Sequence, residues 1–361
     1  MNPLRPLLAL DWVLLPCVLG LAALGLFMAY SAGNGSIANL QSQGVRVAVA
    51  LAGMFVVAQL PPQLLARSAP ALYGLGLLML CWVALAGAIG GGAQRWIDLG
   101  FMRFQPSELV KLTVPMMVAR YLSSKLLPPT RRQIIVAGLI ILLPAGLIVQ
   151  QPDLGTALLV GAAGAAVLFL AGLGFRFIGL SLLTGLCAAP VAWQFLHDYQ
   201  RRRILTLLNP EQDPMGAGYH VIQAKIAVGS GGPFGKGWMQ GTQAHLDFIP
   251  ESSTDFIFAV FAEEFGFVGA MALLLLYAVI LLRGFAIAAG GQDTFSRLFS
   301  GSLVLTFFVY LFVNIGMVIG ILPVVGVPLP LVSFGGTSMV TLMLGMGMLM
   351  AIRNDRRLWS G

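Results

Sequence analysis

Charge is scarce in this chain: Asp, Glu, Lys and Arg make up 10% of its 361 residues, against 58% hydrophobic. With a mean hydropathy of +0.88, that scarcity excludes a water-soluble globular class and describes a protein whose solvent is lipid. Cysteine is nearly absent. Cys17, Cys81 and Cys187 all fall within apolar runs, which excludes a disulfide framework or a metal cluster and leaves small packing residues. Histidine is equally sparse, and His220 and His245 stand apart in polar stretches, as ordinary loop histidines do rather than metal ligands. A nucleotide-binding loop is also missing. The run Gly229 to Gly237 has Trp238 where a phosphate loop opens a helix with Ser or Thr, and no apolar strand precedes it. No motif points to nucleic acid.

Long apolar runs are what the chain does have. A bilayer core takes about 20 apolar residues per helix, and runs are centred near 11–31, 46–60, 70–90, 106–123, 133–150, 155–173, 176–197, 256–282, 297–321 and 333–352. The expected fold is therefore an all-α polytopic membrane protein of about ten spans. It forms a single membrane domain over 1–361, with one long outer loop over 198–254 between the seventh and eighth spans. The second run is the shortest. Orientation follows from basic residues, which collect in short cytoplasmic loops. With both termini inside, the inner segments hold Arg5, Arg67, Arg120, Lys125, Arg131, Arg132, Arg176, Arg283, Arg297, Arg353, Arg356 and Arg357, and the short outer loops hold only Arg46, Arg95 and Arg103. Omitting the second span would invert everything after it and spoil that bias. Arg5 before an apolar run resembles a signal peptide, but the run is too long for one, so an uncleaved first helix is expected.

Acids at or inside the membrane are costly and call for a reason. Asp255 sits where the long loop re-enters the apolar run Phe256 to Phe261. Two readings stand side by side: a helix cap in the Ser252-Ser253-Thr254-Asp255 stretch, or a general base at the membrane surface. Glu108 and Lys111, three apart just inside the fourth span, should pair with each other, either pinning the helix or walling a cavity. Asp153 follows Pro152 at another outer turn, where it caps the sixth helix or serves a site. Glu263 and Glu264 lie two turns below Asp255 and need shielding. Residues 90–112, with Trp96, Phe101 and Phe104 among Arg95, Asp98 and Arg103, should lie along the outer interface.

The long outer loop concentrates positive charge. Arg201, Arg202 and Arg203 form the densest outer cluster, suited to phosphate or to anionic lipid. Tyr219, Ile222, Ile226 and Val228 suggest a half-buried interfacial helix carrying Lys225. The Pro- and Gly-rich stretch 320–338 is irregular backbone at depth, tolerated where it lines a cavity, and it places Ser333, Gly335 and Thr337 on such a wall.

Five stretches carry a resemblance: GAQRWIDLG (92–100), FQPSELVK (104–111), DPMGAGYHVIQAKIAVGSGGPFGKGWMQGTQ (213–243), PESSTDFIFAVFAEEFG (250–266) and PLPLVSFGGTS (328–338). Together they resemble the SEDS family, for shape, elongation, division and sporulation, from the first span to the last. The short termini and the DPMGAGYH loop lean towards its elongation members. Ser252-Ser253 departs from the bulkier or charged residues of relatives, and Phe334 replaces a frequent Tyr. The resemblance implies a peptidoglycan glycosyltransferase acting on lipid II at the outer face of the bacterial cytoplasmic membrane. It also implies a class B penicillin-binding transpeptidase as partner within an elongation complex, and Asp255 as the essential acid. On that reading Arg201, Arg202, Arg203, Lys225, Arg95, Asp153, Ser333 and Thr337 are candidates for binding pyrophosphate or sugar, and a divalent cation, Mg or Mn, is a further source of positive charge. A lipid II flippase and a non-catalytic scaffold draw on the same intramembrane charges. They differ in that a flippase needs a polar path to both faces, whereas the polar residues here crowd one face.

Overall fold

The computed structural model describes residues 10–90, 93–98, 100, 103–174, 198–212, 216–246, 248–249 and 251–358, with isolated positions between 177 and 194. Arg5, Arg176, most of the seventh apolar run and residues 213–215 lie outside the described residues. The other nine runs coincide with helices: α1 (Leu14–Ala32), α2 (Ile37–Ala58), α3 (Pro62–Ala86), α4 (Pro106–Ser123), α5 (Arg131–Gln150), α6 (Leu154–Leu170), α10 (Ile257–Ala289), α11 (Thr294–Val318) and α12 (Thr337–Leu358). In the long loop lie α7 (Asp198–Leu208), α8 (Ala217–Ser230) and the single turn α9 (Thr242–His245). Among the described residues six helices, namely α1, α2, α3, α5, α10 and α11, are long and apolar enough to cross a membrane. The second run, shortest in the sequence, becomes a 22-residue helix because Ser36 caps it early by accepting from the Asn39 amide.

Two helices sit at the centre. α4 touches α3, α5, α6, α11 and α12, and from Pro106 to Ala119 almost every side chain is buried. A helix buried all round has no lipid face. That is why α4 can carry Glu108 and Lys111, whose ammonium donates to Glu108 Oε1 at 2.8 Å with both side chains about 6% exposed. α11 packs on α4, α6 and α10 and shares that burial. Close approaches depend on small residues: a Cβ on Gly347 of α12 would lie 2.5 Å from the Met54 carbonyl oxygen of α2.

One expectation needs correcting. Part of the outer segment before α4, expected only as an interfacial amphipathic stretch, forms a small antiparallel sheet of β1 (Ala88–Gly90), β2 (Ala93–Asp98) and β3 (Arg103–Phe104) in the order β1-β2-β3. At the opposite ends of the spans, buried Asp11 binds Arg283 of α10 and Arg353 of α12, at 2.8 and 2.7 Å, and caps α1 through the Val13 and Leu14 amides. One carboxylate thereby joins the ends of three helices.

Candidate active site

The loop re-enters the bundle through a turn over 251–256, and the turn decides what Asp255 is. Glu251 takes a left-handed φ of 56°, and its carbonyl accepts from the Thr254 and Phe256 amides. The helix that follows has Phe256 as its N-cap, with no side-chain capping bond. Asp255 is therefore not the cap. Its carboxylate takes no hydrogen bond from any described residue and is half-buried. Burial pushes its pKa up to about 6, Glu251 adds to the rise, and Arg203 pulls against it.

The main chain at Asp255 is held from two sides. Asn314, fully buried near the end of α11, donates from Nδ2 to the Asp255 carbonyl at 2.9 Å and to the Val327 carbonyl at 2.8 Å. Ser333 donates to the Thr254 carbonyl at 2.6 Å and accepts from the Leu329 amide, while the Phe334 amide donates to the Ser253 carbonyl. The loop 319–336 is thus stitched to the re-entry turn. Gly326, with a φ of +74°, passes so close that a Cβ there would lie 3.4 Å from Asp255 Oδ2. The Phe334 ring carries the Arg46 guanidinium 4.5 Å from its centroid, a contact that uses the ring and not a hydroxyl.

The expected cations part company. Arg203 of α7 and Lys225 of α8 line one cavity with Thr206, Pro210 and Leu322, and the Lys225 side chain lies directly against the Gly320 backbone. Arg203 is the one whose charge reaches Asp255. Arg201 instead donates to the Trp193 and Gln194 carbonyls, and Arg202 is exposed. Arg95 of β2 donates to the Gln151 and Pro152 carbonyls and lies 3.5 Å from Asp153, which caps α6 through the Thr156 amide. Asp153 is therefore a cap that is also ion-paired. Its helix reaches the loop beside Asp255, since a Cβ on Gly155 would meet the Val325 carbonyl at 2.6 Å. Thr337 opens α12, where its carbonyl accepts from Thr341, and it makes no recorded contact with Asp255. Deeper in, Lys111 faces the Tyr310 ring at 5.3 Å, and the second carboxylate oxygen of Glu108 has no hydrogen-bond partner among the described residues.

Below Asp255, the glycine run that is no phosphate loop does something else. α10 breaks at Gly266, whose φ is 66° and ψ −164°. Residues 232–237 lie across the break: the Lys236 and Gly237 amides donate to the Glu263 and Glu264 carbonyls, and the Gly232 and Pro233 carbonyls accept from the Phe267 and Val268 amides. Backbone groups freed at depth are thereby satisfied. Glu263 receives Lys236 Nζ at 2.6 Å, Thr242 and the Gln243 amide, while Glu264 receives Ser31 and faces His245 Nε2 at 3.6 Å. Reading the sequence missed Asn314, Glu251 and Gly326 at the site. Only Glu251, an acid four residues before Asp255, left a local sign.

The chain matches the FtsW, RodA and SpoVE family of cell cycle proteins over residues 7–358. It is 49% identical over 352 residues to the peptidoglycan glycosyltransferase MrdB of Escherichia coli K12, covering 97% of this chain and 95% of that one. A chain in a solved peptidoglycan synthase complex, in which polymerization and crosslinking are coordinated, superposes with a TM-score of 0.83 at 34% identity, over 96% of this chain and 98% of the other. The crystal structure of Thermus thermophilus rod shape determining protein RodA gives 0.73 at 32% identity, over 96% and 97%.

Proposed function

This chain belongs to the FtsW, RodA and SpoVE family and is a peptidoglycan glycosyltransferase, and from that premise we propose that it polymerises lipid II during cell elongation with Asp255 as general base. The observation that carries the proposal is a half-buried carboxylate that caps nothing and is hydrogen-bonded by nothing described, held by its main chain within reach of the Arg203 charge. An acid so placed is poorly solvated, and a base is what such an acid can be.

In this reading the 4-hydroxyl of one lipid-linked disaccharide attacks the anomeric carbon of another. The new bond forms as the bond to lipid pyrophosphate breaks, and Asp255 takes the hydroxyl proton. The donor linkage is α and the product β, so one in-line displacement suffices. The leaving pyrophosphate needs positive charge, which Arg203 and Lys225 supply from their shared cavity; Arg201, Arg202, Arg95, Ser333 and Thr337 then serve position and anchoring. Mg or Mn is a second source of charge. Among the described residues no three His, Cys, Asp or Glu gather to hold one. The partner is a single-pass class B transpeptidase, and the active face is extracytoplasmic, with both termini in the cytoplasm.

The test is a lipid II polymerisation assay on the chain with its transpeptidase, with and without chelator. A positioned base contributes on the order of 10² to 10⁴ in rate, so Asp255→Asn should lose at least that much while the protein stays folded by thermal melting. Glycan chains made by purified Asp255→Asn at the normal rate would end the assignment. Headgroup translocation by the chain alone in liposomes would favour a flippase instead.

A further inference from the structure

At the end of the bundle remote from Asp255, an open pocket of about 340 Å³ is lined by Ala66, Arg120, Ser123, Asp293, Phe295 and Arg297, among others. Arg297 opens α11 and Asn314 nearly ends it, so the two sites lie roughly 25 Å apart along one helix at 1.5 Å per residue. The cavity is at the low end of the range for small-molecule sites.

Its charges are arranged and unspent. Arg297 is held by Nε donating to the Gly291 carbonyl at 2.7 Å, with its stem against Gly291, where a Cβ would lie 3.0 Å from Cγ. That fixes the guanidinium and leaves its terminal nitrogens for a ligand. The Arg120 guanidinium, from the last turn of α4, makes no ion pair among the described residues. Asp293 spends Oδ1 on capping α11 through the Ser296 amide at 2.7 Å, and its other oxygen has no recorded partner. Two guanidiniums and a carboxylate, all exposed, share one wall without closing on one another. Space between fixed opposite charges suits a ligand that carries both signs.

The pocket sits where α4 ends and α3 and α11 begin, and the ends of spans are where lipid headgroups lie. Leu126 and Leu127, just past α4 and the lining Ser123, are 91% and 40% exposed. We propose that this cavity binds an aminophospholipid headgroup, with the phosphodiester on Arg120 and Arg297 and the ammonium on Asp293. Phosphate favours the arginine fork, and a primary ammonium can donate to Asp293 where a quaternary one cannot.

Native mass spectrometry of the full chain, delipidated and offered equal phosphatidylethanolamine, phosphatidylcholine and phosphatidylglycerol, tests this. The wild type should retain one phosphatidylethanolamine preferentially. Arg120→Gln with Arg297→Gln should weaken that retention about tenfold or more, the loss expected for charge-assisted bonds. Asp293→Asn keeps the helix cap, since asparagine caps as well as aspartate, and should abolish the preference over phosphatidylglycerol while phospholipid still binds. Soluble glycerophosphoethanolamine in large excess should displace the lipid; failure to compete overturns the headgroup assignment. Equal retention by wild type and variants, with unchanged melting and polymerisation, overturns the site altogether.

Discussion

Asp255 sits in a small electrostatic balance, and the balance is measurable. Burial and Glu251 raise its pKa to about 6, and Arg203 opposes them. A base must be ionised, so polymerisation should fall as pH drops through about 6, giving an acid limb on a plot of kcat/KM against pH. Glu251→Gln removes the like charge and should move that limb to lower pH; an unmoved limb would mean another group titrates. Stability runs the other way. A carboxyl whose folded pKa is raised favours the folded state while protonated, and that contribution is lost as pH rises through about 6. Asp255→Asn should therefore melt no lower than wild type at neutral pH, and higher if desolvation dominates. The position of the acid was legible in the sequence, because an aspartate at the edge of a long apolar run has few excuses. Its release from capping was not, since Phe256 becomes the N-cap through the geometry of the Glu251 turn, and Asn314 comes from 59 residues away.

Among the elements, α10 is the one whose sequence misleads. Its apolar run reads as one continuous span, yet it breaks at Gly266, where only the conformational freedom of glycine permits a φ of 66°. The glycine run before Trp238 looked like an idle imitation of a phosphate loop, and its true partner, a broken helix 30 residues on, has no local signal. A Cβ on Gly266 would overlap the Gly235 amide, and one on Gly235 would overlap the Glu264 carbonyl. Gly266→Ala and Gly235→Ala should each lower the melting temperature sharply or prevent recovery of folded protein. Gly229→Ala, in the open flank of α8 with nothing within 4 Å, should be neutral or stabilising by about 0.5–1 kcal/mol. Equal tolerance of all three, read by fluorescence-detected size exclusion, would mean that the brace is dispensable. The sheet before α4 was missed for a related reason: strands of two to six residues at an interface leave no alternation long enough to read.

Over the whole molecule, hydropathy located nine helices among the described residues, six of them long and apolar enough to cross a membrane, because lipid imposes length and composition directly. It could not say which helices lie inside, and α4 is central because its charges forbid a lipid face. The same logic explains the Asp11 clasp. Burial alone would raise the Asp11 pKa, but the bond from Arg283, the Leu14 and Val13 amides and the charge of Arg353 outweigh it and hold the carboxyl below its usual range. Its stabilising contribution is present above the ordinary carboxylate pKa and is lost as pH falls through the lower folded value. Asp11→Asn leaves two arginines facing one neutral amide and should cost on the order of 3 kcal/mol, seen as a lower melting temperature, with the ends of α1, α10 and α12 exchanging amide hydrogens faster. Unchanged exchange at those ends would remove the clasp from the account. The break at Gly266 carries a consequence for biosynthesis. Among the described residues the amides and carbonyls around it find partners in residues 232–237, so the helix cannot satisfy its own backbone at the break without that segment. Translation order suits that need: residues 232–237 leave the ribosome before the interrupted helix and are available as its template when it folds.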